Sequence, residues 1–262
     1  MARENSFMLM GELAEAPIVF QNDKTQKYRV SISIKTVRRN GRIDYPRVSS
    51  YGLTEQQARE FVKDLKVGAF LLCRGMVSTR MVDKPIKCNK CGAVSKIATL
   101  FTEIIAYGKP CVLKEKVDPA DVAEFSNFGT LLGSVCTDVL CRDAVNGPES
   151  AQFQLAIGRK YRVEELIDDP MVDFPWIKCF GPIAKACIKR VEKNSQLYIT
   201  GAFQTRDVQR NVRCGGCGTH LVTLEREGEI VPNGVEFLNH CLFDEKPSKA
   251  GTGKEAVIDE KA

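Results

Sequence analysis

Apolar and polar residues alternate in short stretches along most of the chain, and two stretches break that rhythm. Phe7–Leu13 alternates, as does Tyr28-x-Val30-x-Ile32-x-Ile34, and each predicts a half-buried β-strand. A third strand is predicted near Arg47–Tyr51. From Thr54 to Leu65 the period changes: Ala58, Phe61, Val62 and Leu65 share one helical face, Thr54 suits the N-cap, and Lys66-Val67-Gly68 ends the helix. Strand Phe70–Thr79, a Cys88-x-x-Cys91-Gly92 hairpin and a closing strand Leu100–Tyr107 follow. The second half predicts strands at Gly129–Val135, Phe153–Ile157 and Trp176–Phe180, then a helix over Ile183–Val191. A strand Gln196–Thr205, a second Cys-x-x-Cys-Gly hairpin and a last strand Val235–Leu242 complete it.

The two halves are copies. Met8–Leu13 reads like Thr130–Val135 at an offset of 122, and Asp44–Gly52 like Asp173–Gly181 at 129. Gly75–Arg80 reads like Gly201–Arg206, and Lys87–Gly92 like Arg213–Gly218, both at 126. Four blocks in one order with slightly drifting offsets are the mark of a tandem duplication with loop insertions. Strand–strand–strand–helix–strand–strand is the order of an OB barrel, whose helix plugs one end. The predicted architecture is therefore all-β: two tandem OB barrels with one short helix each, and a knuckle hairpin between the fourth and fifth strands. Residues 1–111 and 127–243 form the domains, 112–126 a polar linker with Pro119, and 244–262 a disordered tail.

Composition narrows the class. Hydrophobic residues at 44% and charged residues at 27% suit a globular protein, no apolar run reaches membrane-spanning length, and no signal-peptide pattern opens the chain, so a cytoplasmic location is expected. The net charge is +5; the tail from Asp244, with five acids and four bases, carries −1 and leaves +6 on residues 1–243. Two histidines, no phosphate loop and no nucleophile–base constellation argue against an enzyme. Eleven cysteines without a secretion signal argue against a disulfide framework. Seven of them occur singly among apolar residues and read as buried thiols; Cys88, Cys91, Cys214 and Cys217 do not.

Leu9, Gly11 and Leu13 match Leu131, Gly133 and Val135; Phe153–Arg159 reads Phe-x-Leu-Ala-Ile-x-Arg; both third strands end aromatic-Gly; and Gly75, Thr79 and Arg80 match Gly201, Thr205 and Arg206. On these residues the chain resembles the bacterial-type single-stranded DNA-binding proteins, twice over, across about residues 5–108 and 127–243. The resemblance implies a protein that coats single-stranded DNA in replication, recombination, repair or mobile-element transfer, with replication or recombination proteins as further partners. It also implies four barrels per assembly, hence a homodimer of this two-barrel chain. The chain departs from the family in its knuckles and in Ala256–Ala262, which lacks the family's hydrophobic tip. An OB scaffold for protein assembly, of conjugation or primosome type, and an RNA-binding protein are the other readings.

Binding of single strands uses flat side chains for the bases and positive charge for the phosphates. The candidates for stacking are Tyr45, Tyr51, Phe174, Trp176 and Phe180, where alternate members could equally fill the barrel. Candidates for phosphate contact are Lys35, Arg38, Arg39, Arg42, Arg47 and Arg80 in the first copy, and Arg159, Lys160, Arg162, Lys178 and Arg206 in the second. The two Cys-x-x-Cys-Gly knuckles supply two thiolates each, whereas structural zinc takes four ligands. One shared ion held by Cys88, Cys91, Cys214 and Cys217, within or between chains, is the economical solution. Local completion by His220, His240, Cys241 or Cys111, and a metal-free or redox-active pair, are the alternatives.

Overall fold

The computed structural model describes residues 4–113, 117–119, 121–142, 149–159, 161–163 and 171–242; the predicted tail and part of the linker lie outside them. The first copy comprises β1 (Glu4–Leu13), β2 (Ile18–Gln21), β3 (Tyr28–Val37), β4 (Ile43–Asp44), β5 (Arg47–Leu53), α1 (Glu55–Val62), β6 (Phe70–Lys87), β7 (Val94–Ala106) and β8 (Cys111–Val112). The second comprises β9 (Asn127–Val135), β10 (Leu140–Arg142), β11 (Ser150–Gly158), β12 (Val172–Asp173), β13 (Trp176–Phe180), α2 (Gly181–Arg190), β14 (Gln196–Arg213) and β15 (His220–Phe237).

Each copy closes into a five-stranded barrel. In the first, β1 pairs with β3, β3 with β5, β7 with β6 and β6 with β1, all antiparallel, while β5 and β7 run parallel. The second repeats this through β9, β11, β13, β15 and β14, with β13 and β15 parallel. This is the OB topology expected from the element order. Alternation sorts the side chains: Leu9, Leu13, Val30, Ile32, Ile34 and Val48 fill one barrel, and Leu131, Phe153, Leu155, Ile157, Ile177 and Ile199 fill the other. No helix of the described residues is long and apolar enough to cross a membrane.

Helix α1 starts where Thr54 predicts: its hydroxyl accepts from Gln57 N–H and Gln57 reciprocates at the Thr54 amide, a capping box. Buried Ala58 and Phe61 face the barrel mouth. Two expectations shift. The arms β6–β7 and β14–β15 stay paired right up to the knuckles, so their strands are longer than the apolar pattern indicates. The closing strand of the second barrel is β15, beginning at His220; Leu238–Leu242 lies beyond its end. In an arm that has left the barrel both faces meet solvent or the other arm, so ladder hydrogen bonds rather than apolar alternation define the strand.

The barrels share one continuous sheet, because β1 pairs antiparallel with β9 from Glu4↔Leu132 to Leu9↔Asn127. The ladder is a pseudo-dyad. Asn5 accepts from and donates to the Val77 backbone, and its repeat Asn127 does the same at Phe203. At the centre Phe7 faces Gly129, the residue that repeats it. A Cβ on Gly129 would lie 2.4 Å from the Phe7 ring, which meets Phe203 edge-on with centroids 6.4 Å apart. Two large side chains cannot share that point, and the duplication allows the two positions to differ.

A second pair of symmetric contacts flanks the ladder. Asp44 Oδ1 accepts from Thr205 N–H at 2.9 Å and Thr205 Oγ1 accepts from Tyr45 N–H; reciprocally Asp173 Oδ1 accepts from Thr79 N–H at 2.6 Å and Thr79 Oγ1 accepts from Phe174 N–H. The repeated Asp-aromatic-Pro and Thr-Arg blocks are thus the parts that fasten each barrel to the other.

Gly129→Val is expected to destabilise the chain by about 1–3 kcal/mol through overpacking at the dyad. In urea unfolding, the loss in a Phe7→Ala/Gly129→Val double variant should fall well short of the sum of the single losses.

Candidate nucleic-acid interface and thiol cluster

The parity of the third strands decides which side chains leave the barrels. Val48 in β5, and Ile177 and Cys179 in β13, point inward and are buried. Arg47, Tyr51, Trp176, Lys178 and Phe180 therefore stand on the outer faces, exposed or half-buried.

On the first barrel these residues join a ladder of alternating cations and rings. The Arg29 guanidinium lies 5.4 Å from the Phe20 ring and 5.7 Å from Tyr51; Arg80 lies 5.7 Å from Tyr51 and 5.1 Å from Phe101; Arg47 lies 5.6 Å from Phe101. Arg29, Arg47, Arg80 and Phe101 line a groove of about 530 Å³. Behind it, buried Glu103 accepts from Ser49 Oγ and the Tyr51 hydroxyl and pairs with Arg80 at 3.3 Å. Burial first, then the charge on Glu103, pushes the Tyr51 phenol well above its ordinary pKa, so it stays neutral and donates. Phe20, Arg29 and Phe101 escaped the sequence reading. The signal for Arg29 was its odd place beside Val30, Ile32 and Ile34, which puts it outside the barrel.

Tyr51 also borders a larger cleft of about 1040 Å³ shared by both copies. Arg74 and Tyr107 line it from the first barrel and Tyr161 and Arg162 from the second. Tyr107 and Tyr161 pack edge-on at 6.0 Å, and the Tyr107 hydroxyl donates to Asn5 O.

The other predicted contacts are spread more widely. Tyr45 lies under Arg226 at 5.0 Å, and Phe174 is 39% exposed beside the Thr79 contact. Lys35 pairs with Glu12, and Arg39 with Glu124 on the surface. Arg38 and Arg42 both meet the buried Asp44, and Arg42 also donates to Thr205 O. Arg159 repeats Arg38 and is 2% exposed, with Nε 2.6 Å from Asp173, so it holds up the inter-barrel contact from inside. Lys178 and Arg206 meet Glu229 at 3.9 and 3.1 Å, and Arg206 also meets Glu227. Lys160 lies outside the described residues.

At the arm tips the knuckles repeat atom for atom. Cys88 N–H donates to Ala93 O and Gly92 N–H to Cys88 O; Cys214 N–H donates to Thr219 O and Gly218 N–H to Cys214 O. Gly92 and Gly218, at φ 74° and 71°, hold the left-handed corner that a side chain disfavours. The arms are bridged by a Lys84–Glu225 ion pair and by Gly215 N–H donating to Ser95 Oγ. All four sulfurs lie within 4.8 Å of one another, with Cys88–Cys217 at 3.7 Å and Cys91–Cys214 at 3.6 Å. A tetrahedral zinc with Zn–S of ~2.3 Å requires sulfurs about 3.8 Å apart, so the cluster fits a metal ion. The Thr219 hydroxyl and then its amide pull Cys217 down to about 6, and the amides of Cys217 and Gly216 lower Cys214. Cys91 moves the other way, to about 12: the Ala93 amide favours its thiolate, but Cys217 and Cys214 hold it as a donor.

The sequence model of the single-strand binding protein family matches residues 126–219. No curated protein matches the chain. Among solved structures, the wild-type single-stranded DNA binding protein from Thermus aquaticus is similar over 97% of this chain and 100% of that one, at TM-score 0.59 and 15% identity. A deletion mutant of the Thermus aquaticus protein is similar over 95% and 100%, at TM-score 0.59 and 17% identity. At such identities the likeness establishes the fold, across both barrels.

Asp173→Asn removes the carboxylate that lies 2.6 Å from the Arg159 guanidinium, which is 2% exposed, and is expected to cost roughly 3–5 kcal/mol. Asp44→Asn should cost less, because Arg38 is 15% exposed and reaches water. Urea denaturation of the two variants gives the comparison.

Proposed function

We propose, from the match of residues 126–219 to the single-strand binding protein family, that the chain coats single-stranded DNA in replication, recombination or repair. The observation that carries this reading is the outward run of rings Phe20, Tyr51 and Phe101, interleaved with Arg29, Arg80 and Arg47. Bases stack on such rings whatever their identity, at ~1–3 kcal/mol each, while the cations follow the phosphates. Of the predicted contacts, Tyr51, Arg47, Arg80 and Arg162 are the accessible ones we assign to the strand; Trp176 and Phe180 stand on the equivalent outer face of the second barrel. Arg38, Arg42 and Arg159 we assign to the inter-barrel contact. Two chains would bring together the four barrels that the family resemblance implies, in the cytoplasm, with the domains divided near residues 111 and 127.

We assign zinc to the four thiols. Cys88 and Cys91 from one arm and Cys214 and Cys217 from the other would hold it within a single chain. Bound there, the ion supplies a tetrahedral cross-link with no open position, a structural site rather than a catalytic one. The two glycine corners bring the sulfurs together, and the Lys84–Glu225 pair keeps the arms side by side.

Labelled oligo-dT should raise its fluorescence anisotropy on binding at low salt, and log affinity should fall linearly with log salt, by about 0.7 per phosphate neutralised. No binding at low salt would refute the reading, and a preference for oligo-U would move it to RNA. Metal analysis should find one zinc per chain, lost in both Cys88→Ser and Cys217→Ser, and a chelator should lower the melting temperature. Two zinc ions per chain would overturn the shared site.

A further inference from the structure

The strand-binding reading treats the barrels as equals, but their outer faces are not. Register pairs each residue of one face with its repeat on the other. Arg29 corresponds to Ser150, Arg47 to Trp176, Tyr51 to Phe180, Arg80 to Arg206, Phe101 to Glu227 and Glu103 to Glu229. At these positions the first barrel has three arginines against one glutamate, +2, and the second has one arginine against two glutamates, −1. Lys178, whose counterpart is Ser49, only restores neutrality. The contacts agree with the count. Arg206 is held by Glu227 and Glu229, Lys178 by Glu229, and Arg210 by Glu227. Among the described residues no carboxylate pairs with Arg29 or Arg47, and Arg80 meets the single carboxylate of Glu103.

The cleft between the copies breaks the symmetry in the same direction. Arg74, Tyr107, Tyr161 and Arg162 line it on one side of the pseudo-dyad. The corresponding strand positions on the other side are Thr200 and Asn233, while Tyr161 and Arg162 belong to the loop between Arg159 and Met171, which is longer than its counterpart between Arg38 and Arg42. There the groove holds Asn40 and Asn233 with Arg38, paired to Asp44, and Arg39, paired to Glu124, and among the described residues no aromatic ring lines it. Tyr51 borders the aromatic cleft, and its ring is flanked by Arg29 and Arg80 of the next groove, so it stands between the two depressions.

We propose that the chain carries one strand-binding track rather than two, running from the Tyr107/Tyr161 cleft across Tyr51 to the Phe101 groove. The first barrel is the binding barrel. The second closes the track with Tyr161 and Arg162 and otherwise serves as the frame to which the first is fastened. A neutral face does not accumulate phosphates, because the counterion release that drives binding requires cations free of internal carboxylates. This rests on the strand-binding reading and divides it between the copies.

The test uses the full chain and labelled dT15, read by anisotropy, with the emission of Trp176, the only tryptophan, recorded in the same titration. One dT15 should bind per chain while Trp176 emission stays within a few per cent of its free value. Arg47→Ala/Phe101→Ala should weaken binding at least tenfold and reduce the salt slope, whereas Trp176→Ala should change affinity less than twofold. Thermal melting of each variant separates lost contacts from lost fold, and Arg47→Gln alone, exposed and outside the core, gives a milder measure of the same track. Quenching of Trp176 in step with binding, or a Trp176→Ala loss equal to that of the double variant, overturns the single track. Failure of the unaltered chain to bind dT15 refutes strand binding itself.

Discussion

The antiparallel ladder between β1 and β9 is the interaction on which the rest depends. It joins two closed barrels into one sheet through main-chain hydrogen bonds, which ask nothing of sequence except that side chains fit at the crossing. At the dyad that condition is severe, and Phe7 against Gly129 meets it by making the two copies differ. A pair of identical barrels would place the same residue at both central positions. A duplicated chain can fill the centre with one ring and leave the other position empty.

Once the ladder fixes the barrels, each reaches across it with the same two sequence blocks. Asp44 and Asp173 are fully buried carboxylates that accept from the Thr205 and Thr79 amides, backed by Arg38 and Arg159. Buried charges of this kind are tolerated when both partners and the remaining oxygens are satisfied, and they specify geometry more than they add stability. The consequence for function is a division of arginines. Those facing the partner barrel hold the inter-barrel contact, and those on the third- and fourth-strand outer face of the first barrel lie over aromatic rings.

The same fixed geometry carries the arms. Because β6–β7 and β14–β15 leave their barrels as repeats about one pseudo-dyad, their tips meet, and two half-sites of two cysteines become one set of four. Neither copy holds a complete site, so the cluster reports that the two barrels are assembled. Arms of this length, largely outside either barrel core, gain from a cross-link at the tip that the ladder alone does not provide.

The sequence by itself determined the duplication, the strand and helix order, the Thr54 cap, and the ligand count that joined the two knuckles. These are local periodicities or exact repeats, and local sterics set them. Tertiary structure alone decided which charges are free. Arg38, Arg47, Arg80 and Arg159 look alike in a string, yet Arg38 and Arg159 face buried aspartates, Arg80 meets buried Glu103 between two rings and Arg47 lies over a ring with no carboxylate among the described residues, because pairing register and the β1–β9 crossing choose their neighbours. Phe20, Arg29 and Phe101 come together from three strands far apart in the chain, and Tyr107 meets Tyr161 across the two copies. The placement of the last strand shows the same limit: apolar alternation marks a strand only where one face is buried, and β15 begins in an arm where neither face packs against a barrel core.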